Sequence, residues 1–257
     1  MFADRTDAGE RLADRLASEG VEADLVVAIP RGGLPVGRAV ADRLGVPLDV
    51  VVAVKLGAPG NPELAVGAVA GDGSVWTNEA LVTRLGVDDD YLREERARGQ
   101  AAAAEKVRQY RGGDPLPSLD GRRVVVVDDG LATGATALAC VRQVQAAGAA
   151  AVVLAVPVAA REAAVRVGDE GARVVAVETP ESFSAVGAYY RDFRQVRDTE
   201  ALTYLEGDDG GHGDGADGGA SDSDGANGGA SDGSASDGDG ADGANGGGPN
   251  ADGASDG

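Results

Sequence analysis

Five apolar runs set the architecture of this chain: LVVAI at 25–29, LDVVVAV at 48–54, VVVV at 124–127, AAVVLAVPV at 150–158 and RVVAV at 173–177. They are rich in valine and do not alternate with polar residues, the pattern of strands buried on both faces. Stretches with helical spacing separate them. Arg5–Ser18 sets Leu12 and Leu16 one turn apart, and LPVGRAVADRLG follows the first run. Asp88–Arg111 opens with acids, places Glu94 one turn before Arg98 and meets Gly112 as a stop. Ala135–Ala147 ends at Gly148, and a further helix near 159–168 precedes the last run. Buried strands alternating with helices predict one α/β domain, a doubly wound parallel sheet with its site at the carboxyl ends of the strands. Between the second and third runs lies KLGAPGNPELAVGAVAGDGSVW, rich in Gly and Pro, in which Leu64–Val69 and Ser74–Thr77 are spaced to pair as a hairpin across Gly-Asp-Gly.

The chain changes character at Gly207. From there to the end it holds 12 Asp and 19 Gly, no Lys or Arg, and nothing apolar larger than alanine except Pro249. Such a segment buries too little surface to offset its ordering entropy, so 207–257 is expected to be a disordered acidic tail beside a folded domain over 1–206. Its Asp-Gly texture lacks the large apolar residue that each calcium-binding nonapeptide repeat needs. The only histidine, His212, falls in this tail, which disfavours a serine hydrolase triad and a histidine-bound metal centre.

The whole chain carries 43 acidic against 23 basic residues, and its two lysines, Lys55 and Lys106, stand against 21 arginines. An acidic surface with scarce lysine fits a halophilic protein, since concentrated salt screens self-repulsion. The same surface repels phosphodiester backbones, so no nucleic acid partner is expected. The single cysteine, Cys140, excludes an internal disulfide framework and lies at helical spacing with Leu138, Val141 and Val144, as a core residue does. No signal-peptide pattern or apolar run of spanning length is visible, so a cytoplasmic protein without a membrane partner is expected.

The chemistry concentrates in VVVVDDGLATGAT, residues 124–136. Gly130 and Gly134 allow a tight turn that presents backbone N–H groups, Thr133 and Thr136 add hydroxyls, and the following helix directs its positive end into the same space. This is a cradle for one phosphate. It is neither a Walker loop, whose lysine is missing, nor a GxGxxG turn. The carboxylate pair Asp128–Asp129 beside it suits a ligand that offers two neighbouring hydroxyls, or a hydrated Mg²⁺, one sugar ring away from that phosphate. A phospho-accepting receiver domain also pairs acids at a strand end, but needs a third aspartate and a later lysine. Residues 172–179 read ARVVAVET, and no lysine follows Lys106.

This stretch resembles the phosphoribosyl pyrophosphate signature of type I phosphoribosyltransferases, in the version carried by adenine phosphoribosyltransferases. PRGGLPVG, KLGAPGNPELAVGAVA and ETPESFSAVGAYYRDF extend the resemblance, over residues 1–206, to a group of bacterial and archaeal phosphoribosyltransferases known from sequence. The resemblance implies that Asp128 and Asp129 hold the ribose hydroxyls with Mg²⁺ as cofactor nearby. It implies that Ala132, Thr133, Gly134, Ala135 and Thr136 surround the 5-phosphate. Arg31, Gly32 and Gly33 match the pyrophosphate loop, where family members carry a non-proline cis peptide. Lys55, read as the end of the next strand, is placed to reach the pyrophosphate, although it reads equally as a solvated strand end. The segment from about 57 to 75 corresponds to a mobile loop that closes over the reacting centre. Ala132 departs from members with an aspartate there as general base, which leaves Glu63 as the candidate for that role.

The implied substrates are phosphoribosyl pyrophosphate and an unidentified acceptor, with a homodimer as the candidate assembly. The acceptor would lie under a small hood, expected from the first helix, the 88–111 helix and the 178–206 segment. There Trp76, Tyr189, Tyr190 and Phe193 either stack on a base or pack as core. A regulator that only senses the same metabolite shares this pocket, but no basic recognition helix is visible. The charge balance makes one prediction independent of any pocket: resistance to unfolding should rise from dilute buffer to molar KCl. Denaturation midpoints that do not change with salt would remove the halophilic reading.

Overall fold

The computed structural model describes residues 1–206; the segment expected to be a disordered tail, His212 included, lies outside the described residues. In chain order the elements are α1 (Arg5–Ser18), β1 (Leu25–Ala28), α2 (Gly33–Leu44), β2 (Leu48–Val50), β3 (Ala53–Ala58), β4 (Asn61–Ala70), β5 (Val75–Thr77), α3 (Glu79–Leu85), α4 (Asp89–Arg111), β6 (Arg123–Val127), α5 (Ala135–Ala146), β7 (Ala151–Val158), α6 (Arg161–Gly168), β8 (Arg173–Glu178) and α7 (Asp198–Glu206). Five strands form a parallel sheet in the order β2-β1-β6-β7-β8.

The valine runs are buried on both faces, as expected. Val125 and Val127 of β6 join Val26, Ala155 and Val175 against Leu12 and Leu16 of α1 and Val36 and Val40 of α2. Val124 and Val126 join Val27, Leu154 and Val156 against Leu138, Val141 and Val144 of α5 and Val167 of α6. Neighbouring residues of one strand thus enter opposite cores, and a polar residue at either would lose its hydration. Cys140 is part of the second core.

The run at 48–54 is not one strand. β2 ends at Val50, and the chain leaves the sheet edge to begin β3 at Ala53. Val51 packs into the core under α5, and Val52 into a separate core with Leu56, Val66, Val69, Leu81 of α3 and Leu92 of α4. An unbroken apolar run here marks a passage between two cores. Lys55 consequently sits inside β3, opposite Ala68, and not at the end of a parallel strand.

β3, β4 and β5 form an antiparallel sheet, with the expected hairpin in the register Gly67↔Thr77, Ala68↔Trp76 and Val69↔Val75. The segment matched to a mobile loop is therefore largely strand, β4 being paired along both edges. This sheet, with α3 and α4 on it, is the hood. The first helix does not belong to it, since α1 packs against α2 and the parallel sheet. On α4, Arg98 pairs with Glu95 rather than Glu94, and Glu95 Oε1 also accepts the Gly57 N–H at 3.2 Å, which ties the helix to β3.

One ion pair locks the amino ends of β1 and β6. The Asp24 N–H donates to the Arg123 carbonyl (2.8 Å), and the Arg123 N–H returns a bond to Asp24 Oδ2 (2.8 Å). The guanidinium grips the same carboxylate through Nε (3.1 Å) and Nη2 (2.7 Å), a two-point contact. These bonds to Arg123 hold the Asp24 carboxyl down at about 2. A depressed acid contributes stability that is complete above the unfolded carboxyl range, roughly pH 4, and is lost as pH falls toward the folded value. Asp24→Asn should therefore be less stable than the native chain at pH 6, and the gap should close between about pH 4 and pH 2. Urea denaturation across that range checks this; a gap independent of pH refutes it.

Candidate functional site

β2 lies on one side of β1 and β6 on the other, so the strand order reverses between β1 and β6. Open α/β sheets bind ligands in the crevice outside the carboxyl ends at such a point. After β1 the Ile29 N–H donates to the Val127 carbonyl (2.8 Å), the Pro30–Arg31 peptide is cis, and the Gly33 N–H donates to the Ile29 carbonyl (3.0 Å) as α2 begins. Only glycine fits this turn. A Cβ on Gly32 would fall 2.0 Å from Asp129 Oδ2, and one on Gly33 would fall 2.7 Å from the Val127 carbonyl oxygen. The turn Arg31–Gly33 and the acid pair Asp128–Asp129 are thus brought into direct contact.

The two carboxylates differ in their partners. Asp128 Oδ1 accepts the Asp129 N–H at 2.8 Å. Asp129 Oδ2 accepts from Arg5 Nε at 2.8 Å, with the two side chains 11% and 16% exposed, and the Asp129 carbonyl accepts the Tyr190 hydroxyl at 2.6 Å. Arg5 is itself fixed from both sides: it donates to the Arg194 carbonyl (2.8 Å), and its guanidinium lies 4.0 Å from the centre of the Phe193 ring. Burial raises the Asp128 carboxyl well above its usual range, and the adjacent Asp129 charge adds to this. Burial raises Asp129 as well, against the pull of Arg5. Two acids desolvated side by side favour whatever brings donors or positive charge to them.

Beyond them the chain turns at Leu131, whose N–H donates to the Val158 carbonyl (2.8 Å), and enters α5 through Gly134, at φ 80°. A β-branched residue would be strained at that angle. No acceptor among the described residues takes the backbone N–H groups of Ala132, Thr133, Gly134, Ala135 or Thr136. The loop therefore presents a row of free donors at a helix N-terminus. Arg166 of α6 braces it from behind by donating to the Thr133 carbonyl at 2.7 Å.

Arg31, in the turn after β1, donates from Nη1 to Asp198 of α7 (3.2 Å), which also accepts from the Tyr110 hydroxyl. Lys106, one turn before Tyr110 on α4, is half-buried and within the electrostatic reach of Asp128 and Asp198. Its ammonium is pushed below its usual range, mainly by burial, and Asp128 and Asp198 partly restore it. Lys55 and Glu63 stand apart on the hood strands β3 and β4; the Glu63 side chain lies outside the described residues. Tyr190 and Phe193 pack with Phe2, whereas Trp76 and Phe183 border a cavity of about 1020 Å³ between the loop at 132–135 and the hood.

The donor set suits magnesium only in one way. Among the described residues no cluster of three or more His, Cys, Asp or Glu could hold a metal. Asp128 and Asp129 supply two carboxylates, one oxygen of which is taken by Arg5. Mg²⁺ commonly keeps its waters and binds through one or two carboxylates plus ligand phosphates. These residues fit an ion that arrives with its ligand, not one caged by the protein.

Sequence reasoning missed Arg5, Asp198 and Arg166, and gave Tyr190 only as a residue that stacks on a base or packs as core, not as the partner of the Asp129 carbonyl. Arg5 and Arg166 lie on helices that the sequence predicts, Asp198 and Tyr190 in the stretch after the last apolar run, and nothing local marks any of them for the site.

The family model for the phosphoribosyl transferase domain matches residues 4–193. The chain is 43% identical over 226 residues to "Putative phosphoribosyl transferase Rv0571c" of Mycobacterium tuberculosis, covering 87% of this chain and 50% of that protein. It thus spans about half the length of the curated relative it matches. The crystal structure of TT1426 from Thermus thermophilus is 45% identical, with a TM-score of 0.67 over 80% of this chain and 97% of that one.

The Arg5–Asp129 pair is the contact most exposed to test. Removing one partner of a largely buried ion pair leaves a desolvated charge, a loss of about 2–4 kcal/mol. Arg5→Met should lose that much at pH 7.5 and less at pH 5, because burial raises the Asp129 carboxyl and protonation as pH falls relieves the stranded charge. Denaturant unfolding at both values checks it; a variant as stable as the native chain at pH 7.5 refutes it.

Proposed function

The chain belongs to the phosphoribosyl transferase domain family, and from that premise we propose that it transfers the phosphoribosyl group of phosphoribosyl pyrophosphate to a nitrogen nucleophile, releasing pyrophosphate. One observation carries this reading. At a single switch point, two main-chain turns at helix N-termini, Arg31–Gly33 and Ala132–Thr136, flank the pair Asp128–Asp129. An anion, a diol and a second anion in that order describe this sugar.

The geometry supports the following roles. The free N–H groups of Ala132–Thr136 and the hydroxyls of Thr133 and Thr136 take the 5-phosphate. The unshared oxygens of Asp128 and Asp129 accept from the 2- and 3-hydroxyls. Arg31, Gly32 and Gly33 take the pyrophosphate, with Arg31 held in place by Asp198. In the reaction the nitrogen lone pair forms a bond to C1, and the C1–O bond breaks with its electron pair leaving on pyrophosphate. A proton on the attacking nitrogen passes to a base or to water. Mg²⁺ bound with the substrate supplies neutralisation of the leaving diphosphate. The protein contributes positioning and donors preset for the charge that develops. Ala132 brings no carboxylate to the loop, so Glu63 is assigned to assist deprotonation and Lys55 to approach the leaving group. The tail from Gly207 takes no part.

Calorimetric titration with phosphoribosyl pyrophosphate and Mg²⁺ tests the assignment. The chain should bind, the double variant Asp128→Asn/Asp129→Asn should not, and a chain ending at Glu206 should bind as the full one does. Retained affinity in the double variant would remove the role given to the acids. Binding with no pyrophosphate release across a wide acceptor panel would make the chain a sensor of the metabolite.

A further inference from the structure

The cavity between the phosphate loop and the hood is walled by the exposed side of the loop at Ala132 and Thr133, by Trp76 and α3 of the hood, by the start of α6, and by the turn that carries Phe183. Its volume of about 1020 Å³ exceeds what an uncharged single-ring base needs, and its aromatic walls suit a planar ring. Its charge is unusual for this protein. Arg84, Arg161 and Arg166 line it against Glu162 and Glu181, a small positive excess in a chain of net charge −20.

The state of these arginines is more telling than their number. Most of the chain's arginines are engaged: among the described residues, fourteen of the 21 form ion pairs with carboxylates. Arg166 is spent on the Thr133 carbonyl. Arg84 and Arg161 have neither a hydrogen bond nor an ion pair among the described residues, although acids line the same cavity. They come from different elements, α3 and α6, and border one space. Arg122, Arg191 and Arg197 likewise show no side-chain partner among the described residues, but they do not border this cavity. A guanidinium presents a planar fork that matches a carboxylate or phosphate, and here two such forks without partners border one space.

Resting on the proposed transfer reaction, we infer that this cavity receives the acceptor and that the acceptor is an anion: a planar nitrogen nucleophile bearing a carboxylate or phosphate, which Arg84 and Arg161 bind. The ring lies against Trp76 and Phe183, and the anionic group is directed away from the sugar, toward the arginines. The group transfer is unchanged. The ring or amino nitrogen forms the bond to C1, pyrophosphate leaves with the electron pair, and the anionic substituent serves recognition alone. Arg84 and Arg161 are specificity-determining residues, not catalytic ones.

Trp76 is the only tryptophan in the chain, so its fluorescence reports occupancy of the cavity without requiring turnover. The experiment titrates the full chain with matched pairs that differ by one negative charge: nicotinate and nicotinamide, anthranilate and 2-aminobenzamide, orotate and uracil. The same titrations are made on Arg84→Ala/Arg161→Ala, and calorimetry measures phosphoribosyl pyrophosphate affinity in both proteins. At least one acid should bind tenfold or more tightly than its neutral partner. The double variant should lose that preference while its affinity for the activated sugar stays within twofold. Equal affinity for acids and neutral partners, no binding of any acid, or a preference that survives in the double variant overturns the inference. Failure of the unaltered chain to bind phosphoribosyl pyrophosphate would instead sink the proposed function, and the fluorescence titrations would still score the charge preference of the cavity.

Discussion

The structure turns on the cost of ending a doubly buried strand in two adjacent carboxylates. Val124–Val127 have cores on both faces, so the chain delivers Asp128 and Asp129 to the rim of the sheet with little water around them. Partners must be brought to them, and much of the carboxyl-end architecture does this. Residue Phe2 bridges to Tyr190, which brings the chain's beginning beside the 189–192 segment. Arg5 then reaches Asp129 from the first turn of α1, and the Tyr190 hydroxyl closes on the Asp129 carbonyl. Elements nearly 190 residues apart are thereby fastened at one point of the sheet.

Around that point the polar arrangement is incomplete in a directed way. The main-chain donors of the 132–136 loop and the acids Asp128 and Asp129 follow β6 at the carboxyl end of the sheet, and the Gly32–Gly33 turn after β1 lies against the acids. Buried or half-buried polar groups are ordinarily satisfied internally. Here a row of main-chain donors without acceptors among the described residues lies beside a pair of carboxylates with oxygens to spare, the arrangement on which the proposed sugar phosphate site rests. The hood adds a second environment. Its small antiparallel sheet has a core of its own, and the cavity it borders with α6 carries two of the arginines that have no partner among the described residues.

The extent to which this could be read from the chain depended on the range of the interactions. The parallel sheet was legible because burial on two faces leaves a local mark, an unbroken β-branched run. The same mark misled at 48–54, where burial came from two different cores and the run was a passage between sheets, which moved Lys55 into the hood. The resemblance implies a mobile loop over about 57–75, whereas the residues predict a hairpin at Leu64–Val69 and Ser74–Thr77; pairing along both edges of β4 makes most of the segment strand. On α4 the choice of Glu95 over Glu94 for Arg98 was decided by the helix face docked against β3.

What the sequence determined by itself was chemistry confined to one short segment. Two acids followed by a small-residue loop at a strand-to-helix junction are the local feature on which the proposed diol and phosphate sites rest, because the backbone of those thirteen residues supplies most of the donors. The tertiary structure alone decided which distant side chains complete the site. Arg5, Tyr190, Asp198, Arg84 and Arg161 have no local pattern, since ion pairs and cavity walls form between elements whose order in the chain carries no information about their distance in space.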